Sequence, residues 1–249
     1  MNTISIILPT YNEAENIIFL IESLQLHVSG LKEVIVVDDD SPDGTAALVQ
    51  DWIKKHGNRQ VRLILRTSNR GLTNSINEGI QKASGDIIVW MDADFSMPPE
   101  DINTLTTAVV HGADIAVGSR FVTGGKTKQR GDPRDQWYAI AASEFGNKMM
   151  LYLFGLNFHD YTSGFVAVRK HILQSLPLHG DYGEYFIDFI VRAFAHGYRI
   201  IEIPYICKPR LHGVSKTATS LPTLFRRCYQ YATVVMKLLW ETKIKKNNL

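Results

Sequence analysis

Two patterns of apolar spacing alternate along the chain from residue 4 onward. Short continuous apolar runs, Ile4 to Leu8, Val34 to Val37, Val61 to Leu65, Ile87 to Met91 and Ile115 to Val117, read as strands. Between them lie segments with helical spacing. Residues 13–26 carry Ile17, Leu20, Ile21 and Leu24; residues 44–55 follow Asp43 as an N-cap; residues 71–83 form a third helix, and Pro98, Pro99 and Glu100 open a fourth. The strand runs are apolar throughout, which predicts strands covered on both faces. Four successive strand–helix units predict an α/β domain with a Rossmann-like, mostly parallel sheet and helices on both sides. Crossover connections bring the C-terminal ends of such strands to one edge, where open α/β sheets bind their ligands.

The texture changes after about residue 120. Phe121 to Asp135 is rich in glycine and basic residues and reads as a surface loop. Residues 137–154 predict a helix, Ser163-Gly164-Phe165 begins a short apolar element, residues 185–195 predict a helix and residues 200–203 a strand. Lys208 to Thr219 is basic and has neither periodicity. The pattern divides the chain into a domain over 1–220 and a C-terminal amphipathic basic helix over 221–249. That helix mixes Leu224, Phe225, Tyr231, Val235, Leu238 and Trp240 with Arg226, Arg227, Lys237 and Lys243. A basic helix of this kind suits contact with a membrane surface, and it equally suits packing on the protein's own core.

Bulk properties narrow the function classes. A net charge of +2 over 249 residues provides no field that would favour nucleic acid. The two cysteines, Cys207 and Cys228, imply no disulfide framework and no metal-binding cluster. The N-terminus MNTISIILPTYNEAEN has no basic segment followed by a long apolar core, and no stretch reaches the roughly 20 apolar residues of a membrane-spanning helix. The expectation is a cytoplasmic protein.

Three polar clusters fall at strand ends: Pro9 to Glu13, Asp38 to Ser41, and Asp92-Ala93-Asp94. In an extended segment residues i and i+2 point to one side, so Asp92 and Asp94 are expected to face a common point. Paired hard oxygen ligands suit Mg²⁺ or Mn²⁺, with substrate phosphates completing the shell. Asp38, Asp39 and Asp40 are candidates to accept hydrogen bonds from a nucleobase or ribose; the alternative is a cluster that serves the following helix, capped by Ser41 or Asp43. The loop after the first strand has no G-x-G-x-x-G, and no phosphate-loop motif occurs anywhere, which argues against dehydrogenases and phosphate-loop ATPases. Arg120 closes the fifth strand and is a candidate phosphate ligand. The segment from Lys208 to Lys216 is a candidate loop to close over a diphosphate.

Together these clusters resemble glycosyltransferase family 2, with its GT-A fold. The resemblance is carried by Pro9 to Glu13 with Asn16, VVDDDSPDGT from Val36 to Thr45, and MDADFSMPPE from Met91 to Glu100. Ser119-Arg120, Asp160 to Phe165 and GVSK from Gly213 to Lys216 continue it over nearly the whole chain. Within the family the chain is most similar to the polyprenyl-phosphate (dolichyl-phosphate) mannose synthase group, in a short form without membrane helices. The resemblance implies a nucleotide-sugar donor with mannose the favoured sugar (GDP-mannose or a UDP-sugar, since one Asp can serve either base), a lipid-phosphate acceptor, and inverting transfer with a divalent metal at the cytoplasmic face of a membrane. It assigns Pro9, Tyr11, Glu13, Val37 and Asp39 to the nucleoside. Asp92, Asp94 and Ser96 go to metal and diphosphate, Arg120 and Ser143 to the acceptor phosphate, and Arg210 and Lys216 to closure on the phosphates. Asp94, Arg120 and Lys216 are the expected catalytic residues. The chain departs from the group at Ala139, where an arginine is usual; Arg130 and Arg134 in the preceding loop are the candidates to replace it. A hydroxyl acceptor would require a base, for which Asp160 and Glu184 are the candidates. A family 2 transferase using a UDP-sugar and a glycan hydroxyl, and a non-catalytic nucleotide-sugar-binding protein, are the other readings.

Overall fold

The computed structural model describes residues 2–127, 137–213 and 221–247, with side chains for 2–127, 141–213 and 226–241. The elements run β1 (Ile4–Thr10), α1 (Ile17–His27), β2 (Leu31–Asp38), α2 (Thr45–His56), β3 (Val61–Leu65), α3 (Leu72–Lys82) and β4 (Ile87–Trp90). A 3-10 turn (Pro99–Asp101) leads into α4 (Ile102–Val110), followed by β5 (Ile115–Ser119), α5 (Trp137–Phe154), β6 (Val166–Arg169) and α6 (Lys170–Ser175). The chain ends with α7 (Glu184–Ala195), β7 (Ile200–Pro204) and α8 (Leu221–Asn247).

The seven strands form one sheet in the order β3-β2-β1-β4-β6-β5-β7. All neighbouring pairs are parallel except those of β6, which runs antiparallel to both β4 and β5. The apolar strand runs are explained by their two burials. In β2, Val34 and Val36 enter the core layer shared with α1, α2 and α4, while Ile35 and Val37 enter the layer shared with α3, α5, α6, α7 and α8. The same alternation sends Ile87 and Val89 of β4 one way and Ile88 and Trp90 the other. β6 contributes Val166 and Val168 to one layer and Ala167 to the other.

α8 belongs to this packing. Val235 and Leu238 are buried in the core layer that includes α7. Gly183, just before α7, lies so close to α8 that an added Cβ would sit 2.1 Å from the Tyr231 hydroxyl. The Arg227 guanidinium lies over the Tyr182 ring, 3.6 Å from its centroid. The opposite side of α8 exposes Tyr229, Met236 and Trp240. Among the described residues no helix is long and apolar enough to cross a membrane.

At the edge away from the strand C-termini, Glu33 ties three strands together. Its carboxylate accepts hydrogen bonds from Ser5 Oγ (2.7 Å), Ser84 N and Oγ (both 2.7 Å) and Arg62 (2.9 Å). Burial alone would raise its pKa, but the hydrogen bonds from Ser84, Ser5 and Arg62 outweigh burial and lower it to about 2. The ionised form is therefore favoured in the folded state. Its stabilisation is complete above the ordinary carboxylate pKa and disappears as pH falls through about 2. Glu33→Gln is expected to lower Tm at pH 7, with the deficit shrinking between pH 5 and pH 2. A deficit independent of pH would contradict the charge-based account.

Candidate active site

The parallel strands β1, β2, β3 and β4 deliver four loops to one edge of the sheet. Each loop holds one non-glycine residue with positive φ: Asn12 (56°), Asp40 (56°), Asn69 (50°) and Phe95 (65°). Asn and Asp tolerate this conformation, whereas a phenylalanine there is an outlier that the surroundings must enforce. Such strain collects where a backbone is shaped for a ligand.

Pro9 and Val37 are ladder partners at this edge, with Tyr11, Glu13 and Asp39 directly beyond. The Val37 side chain is buried in the core, and Tyr11 is exposed. The loop after β1 is held by the loop after β2. Ser41 Oγ accepts from Asn12 N (2.9 Å), Thr45 Oγ1 from Glu13 N (3.0 Å) and Asp43 Oδ2 from Ala14 N (2.9 Å). The N-cap of α2 is Gly44 rather than the expected Asp43, which stands one residue earlier and accepts the Thr45 N–H (3.0 Å) while orienting the loop. The three consecutive aspartates have separate roles. Asp38 is fully buried and accepts from Thr10 Oγ1 (2.8 Å) and Ser41 Oγ (2.6 Å). Asp39 accepts from Arg66 Nη1 (2.6 Å), Ser75 Oγ (2.9 Å) and Gly71 N (2.7 Å). Asp40 pairs with Arg70 at the surface. Arg66 was not among the expected site residues. It opens the loop after β3, the same strand-end position that singled out the other three clusters.

β4 ends at Trp90, so the Asp92-Ala93-Asp94 triplet stands on a loop and strand alternation does not set its geometry. Asp92 is exposed and Asp94 is 1% exposed. Asp94 Oδ1 accepts the Ser96 N–H (2.9 Å), and Oδ2 pairs with Nη1 of Arg210. A strap over residues 205–212 crosses this loop. Lys208 N donates to Ser96 O (3.0 Å), Leu211 N to Asp94 O (3.1 Å), and Lys208 Nζ to Glu100 (2.8 Å). Asn16 Nδ2 donates to His212 O (3.3 Å), closing the strap onto the loop after β1. Among the described residues no group of three or more His, Cys, Asp or Glu side chains could hold a metal. The donor set is two carboxylates and the nearby Ser96. That set fits a hard divalent cation whose remaining ligands come from phosphate and water. A cationic guanidinium already rests on the buried carboxylate, which shows that the position accommodates positive charge.

The expected acceptor residues meet at Thr162. Arg120 lies at the end of β5, and its guanidinium grips Asp160 in a bidentate pair (Nε–Oδ2 2.9 Å, Nη2–Oδ1 2.7 Å). It also donates to Thr162 Oγ1 (2.8 Å), which lies 3.0 Å from Ser143 Oγ on α5. Burial alone would lower the Arg120 pKa, but the adjacent Asp160 carboxylate raises it above the usual value, so the charge is permanent. Asp160 is fully buried with both oxygens occupied by Arg120, a poor arrangement for a base. Glu184 is likewise buried, its Oε1 accepting Asp181 N (2.9 Å) and Tyr182 N (3.2 Å). Arg120 opens onto a cleft of about 750 Å³, lined also by Lys126, Glu144, Asn147, Lys148 and His159.

The Ser163-Gly164-Phe165 element positions this corner. Ser163 Oγ donates to Gly118 O, and Phe165 packs over Gly118 so tightly that an added Cβ would lie 2.6 Å from its ring. Gly164 turns the chain with φ 71°. The strap joins this corner to the triplet: Tyr205 N donates to Ser119 O (3.1 Å), Lys126 N to Tyr205 O (3.0 Å) and Cys207 N to Lys126 O (3.0 Å). Lys216, Arg130 and Arg134 lie outside the described residues, as does the side chain at Ala139.

Residues 5–176 match the family described as "Glycosyl transferase family 2". The chain belongs to glycosyl transferase family 2. Two family 2 relatives cover most of it. It is 32% identical over 247 residues to the dolichol-phosphate mannosyltransferase of Pyrococcus furiosus, covering 97% of this chain and 65% of that protein. It is 35% identical over 221 residues to the polyprenol monophosphomannose synthase of Mycolicibacterium smegmatis, covering 86% of this chain and 81% of that protein. The chain thus spans just under two thirds of the length of the Pyrococcus furiosus relative. Among solved structures, glucosyl-3-phosphoglycerate synthase from Mycobacterium tuberculosis, crystallised with Mn²⁺, UDP and phosphoglyceric acid, superposes with a TM-score of 0.72 at 19% identity. The superposition covers 96% of this chain and 78% of that one. The expected GT-A fold is therefore correct for this family 2 member.

Proposed function

We propose that the protein transfers a hexose, mannose in the favoured case, from a nucleotide-diphosphate sugar to a polyprenyl or dolichyl phosphate, with inversion. The acceptor corner carries this reading. Arg120, Lys126 and Lys148 line the cleft beside Ser143 and Thr162, against one lining carboxylate, Glu144. Counting Asp160, which is paired with Arg120, three cations face two carboxylates, and the remaining positive charge suits an anionic acceptor. A lipid phosphate is already charged at neutral pH and needs positioning and charge control rather than a strong base. Its oxygen would form the bond to the anomeric carbon as the bond to the departing nucleoside diphosphate breaks. Pro9, Tyr11, Glu13, Val37 and Asp39 serve the nucleoside in this reading, with Arg66 holding Asp39. Arg210 and Lys216 serve the diphosphate. Asp92, Asp94 and Ser96 would hold Mg²⁺ or Mn²⁺, which supplies charge stabilisation on the leaving diphosphate.

A screen of GDP-mannose and UDP-glucose against a short polyprenyl phosphate and a sugar-hydroxyl acceptor tests the assignment. Turnover is expected with polyprenyl phosphate and not with the hydroxyl acceptor; the reverse outcome would overturn it. A hydroxyl acceptor would need a base at the cleft, and Glu144 is the carboxylate placed there. Glu144→Gln is therefore expected to leave kcat within about threefold of wild type, because removing a true general base costs about 10²–10⁴-fold.

The same reading places the protein peripherally at a membrane surface. Exposed Phe145, Met149 and Tyr152 on α5 and exposed Tyr229, Met236 and Trp240 on α8 supply apolar side chains beside lysines such as Lys148 and Lys237. Deleting α8 would uncover the core around Val235 and Leu238, so point substitutions are the sounder test. Met236→Ser/Trp240→Ser is expected to reduce co-flotation with anionic liposomes without changing Tm. Equal flotation of wild type and variant would remove α8 from the membrane contact.

A further inference from the structure

Asp94 already has a positive partner before any metal arrives. Its side chain is 1% exposed, and that of its partner Arg210 is 15% exposed. The backbone around Arg210 is fixed on the triplet loop on both sides, by Lys208 N on Ser96 O and by Leu211 N on Asp94 O. The pair therefore sits in a position where water screens it weakly, and the strap keeps it there.

We propose that Arg210 is the resident counter-ion of Asp94. It holds this carboxylate neutralised and transfers to the incoming nucleotide's diphosphate when metal and nucleotide load together. The inference rests on the reading of Asp92 and Asp94 as metal ligands. A divalent cation arriving alone must separate a buried ion pair and leave a guanidinium facing it at close range. A cation arriving with a nucleoside diphosphate brings the guanidinium a new anionic partner, which a planar fork of N–H donors binds bidentately. The anchors at 208 and 211 allow the side chain to change partner while the strap stays in place. The exchange makes metal and nucleotide mutually dependent, and by linkage the coupling is the same from either side. It also keeps Asp94 compensated in the resting protein, where an unpaired buried carboxylate would be destabilising.

The test is Mn²⁺ binding followed by the EPR signal of free Mn²⁺, with full-length protein and Mn²⁺ alone, Mn²⁺ plus GDP, or Mn²⁺ plus UDP. Wild type is expected to bind Mn²⁺ at least about tenfold more tightly with one of the nucleotides than without, a coupling of ordinary size. Arg210→Gln is expected to bind Mn²⁺ alone about tenfold more tightly than wild type and to lose most of the nucleotide-dependent gain. Arg210→Lys keeps a weaker point charge and is expected to fall between them. It also serves as the deciding variant should the glutamine variant fail to fold. Metal-alone affinity in Arg210→Lys or Arg210→Gln equal to or below that of wild type, with wild-type coupling intact, would overturn the exchange and leave the metal site standing. Wild type that binds no Mn²⁺ even with nucleotide would overturn the metal-ligand reading and the exchange with it.

Discussion

Asp94→Asn is expected to lower sugar transfer by about a thousand-fold, the size of effect seen when charge stabilisation at a reacting centre is removed. Three features make Asp94 the sensitive member of the triplet. It is buried, where charge acts strongly; it carries a cation in the resting protein; and its backbone carbonyl anchors the strap through Leu211. Asparagine preserves the shape and leaves the carbonyl in place, so the strap should remain docked through Leu211, while Tm is expected to fall because Arg210 loses its charged partner. The expected signature is loss of turnover and of Mn²⁺ binding in a folded protein. Retention of more than about a tenth of wild-type turnover, still stimulated by metal, would contradict the assignment of Asp94 to the metal. Asp92, exposed at the rim, is expected to show the smaller effect of the two.

Arg120→Gln carries the second large effect, and it combines stability with activity. Asp160 is fully buried with both oxygens on Arg120, so removing the guanidinium leaves a buried charge without its partner. Losses of about 3–5 kcal/mol are typical of that change, enough to lower the denaturation midpoint clearly. The double variant Arg120→Gln/Asp160→Asn removes both charges and is expected to recover most of the stability. It should not recover transfer to a lipid phosphate, because the cation facing the cleft is still missing. Recovery of turnover together with stability would show that Arg120 acts only by supporting the fold. Chemical denaturation and transfer rates on the two single variants and the double variant separate these outcomes.

The sheet was legible in the sequence because both of its faces are covered. Burial of alternate residues in two core layers turned β1, β2 and β4 into apolar runs that no exposed element would carry. The insertion of β6 between β4 and β5 was not legible. Val166–Arg169 is a four-residue strand, and its sequence contains nothing that specifies an antiparallel neighbour on each side. The same limit applied to α8, which is apolar on more than one face. Its periodicity could not show that Val235 and Leu238 face the core while Met236 and Trp240 face outward.

The site was legible as a set of strand ends and less so as a set of contacts. The loops carrying Pro9 to Glu13, Asp38 to Ser41 and Asp92 to Asp94 do share an edge. Parity along an extended strand could not orient Asp92 and Asp94, because β4 stops at Trp90. Arg66 was passed over although it occupies the fourth strand-end position, and its hydrogen bond to Asp39 spans 27 residues of sequence. Asp160 looked like a free carboxylate, and only the fold reveals that Arg120 takes both of its oxygens. A glutamate on a helix is usually solvated, and its spacing from Lys148, four residues on, is local, but the cleft that Glu144 shares with Arg120, Lys126 and His159 is a tertiary fact.

The central claim is that the cationic corner around Arg120 receives a lipid phosphate. Its most direct test compares polyprenyl phosphate with the polyprenol of equal chain length as acceptors for radiolabelled mannose from GDP-mannose, with Mn²⁺ and wild-type protein. The account predicts label transferred to the phosphate-bearing lipid and none above background to the alcohol. Equal transfer to both, or transfer to the alcohol alone, would contradict it.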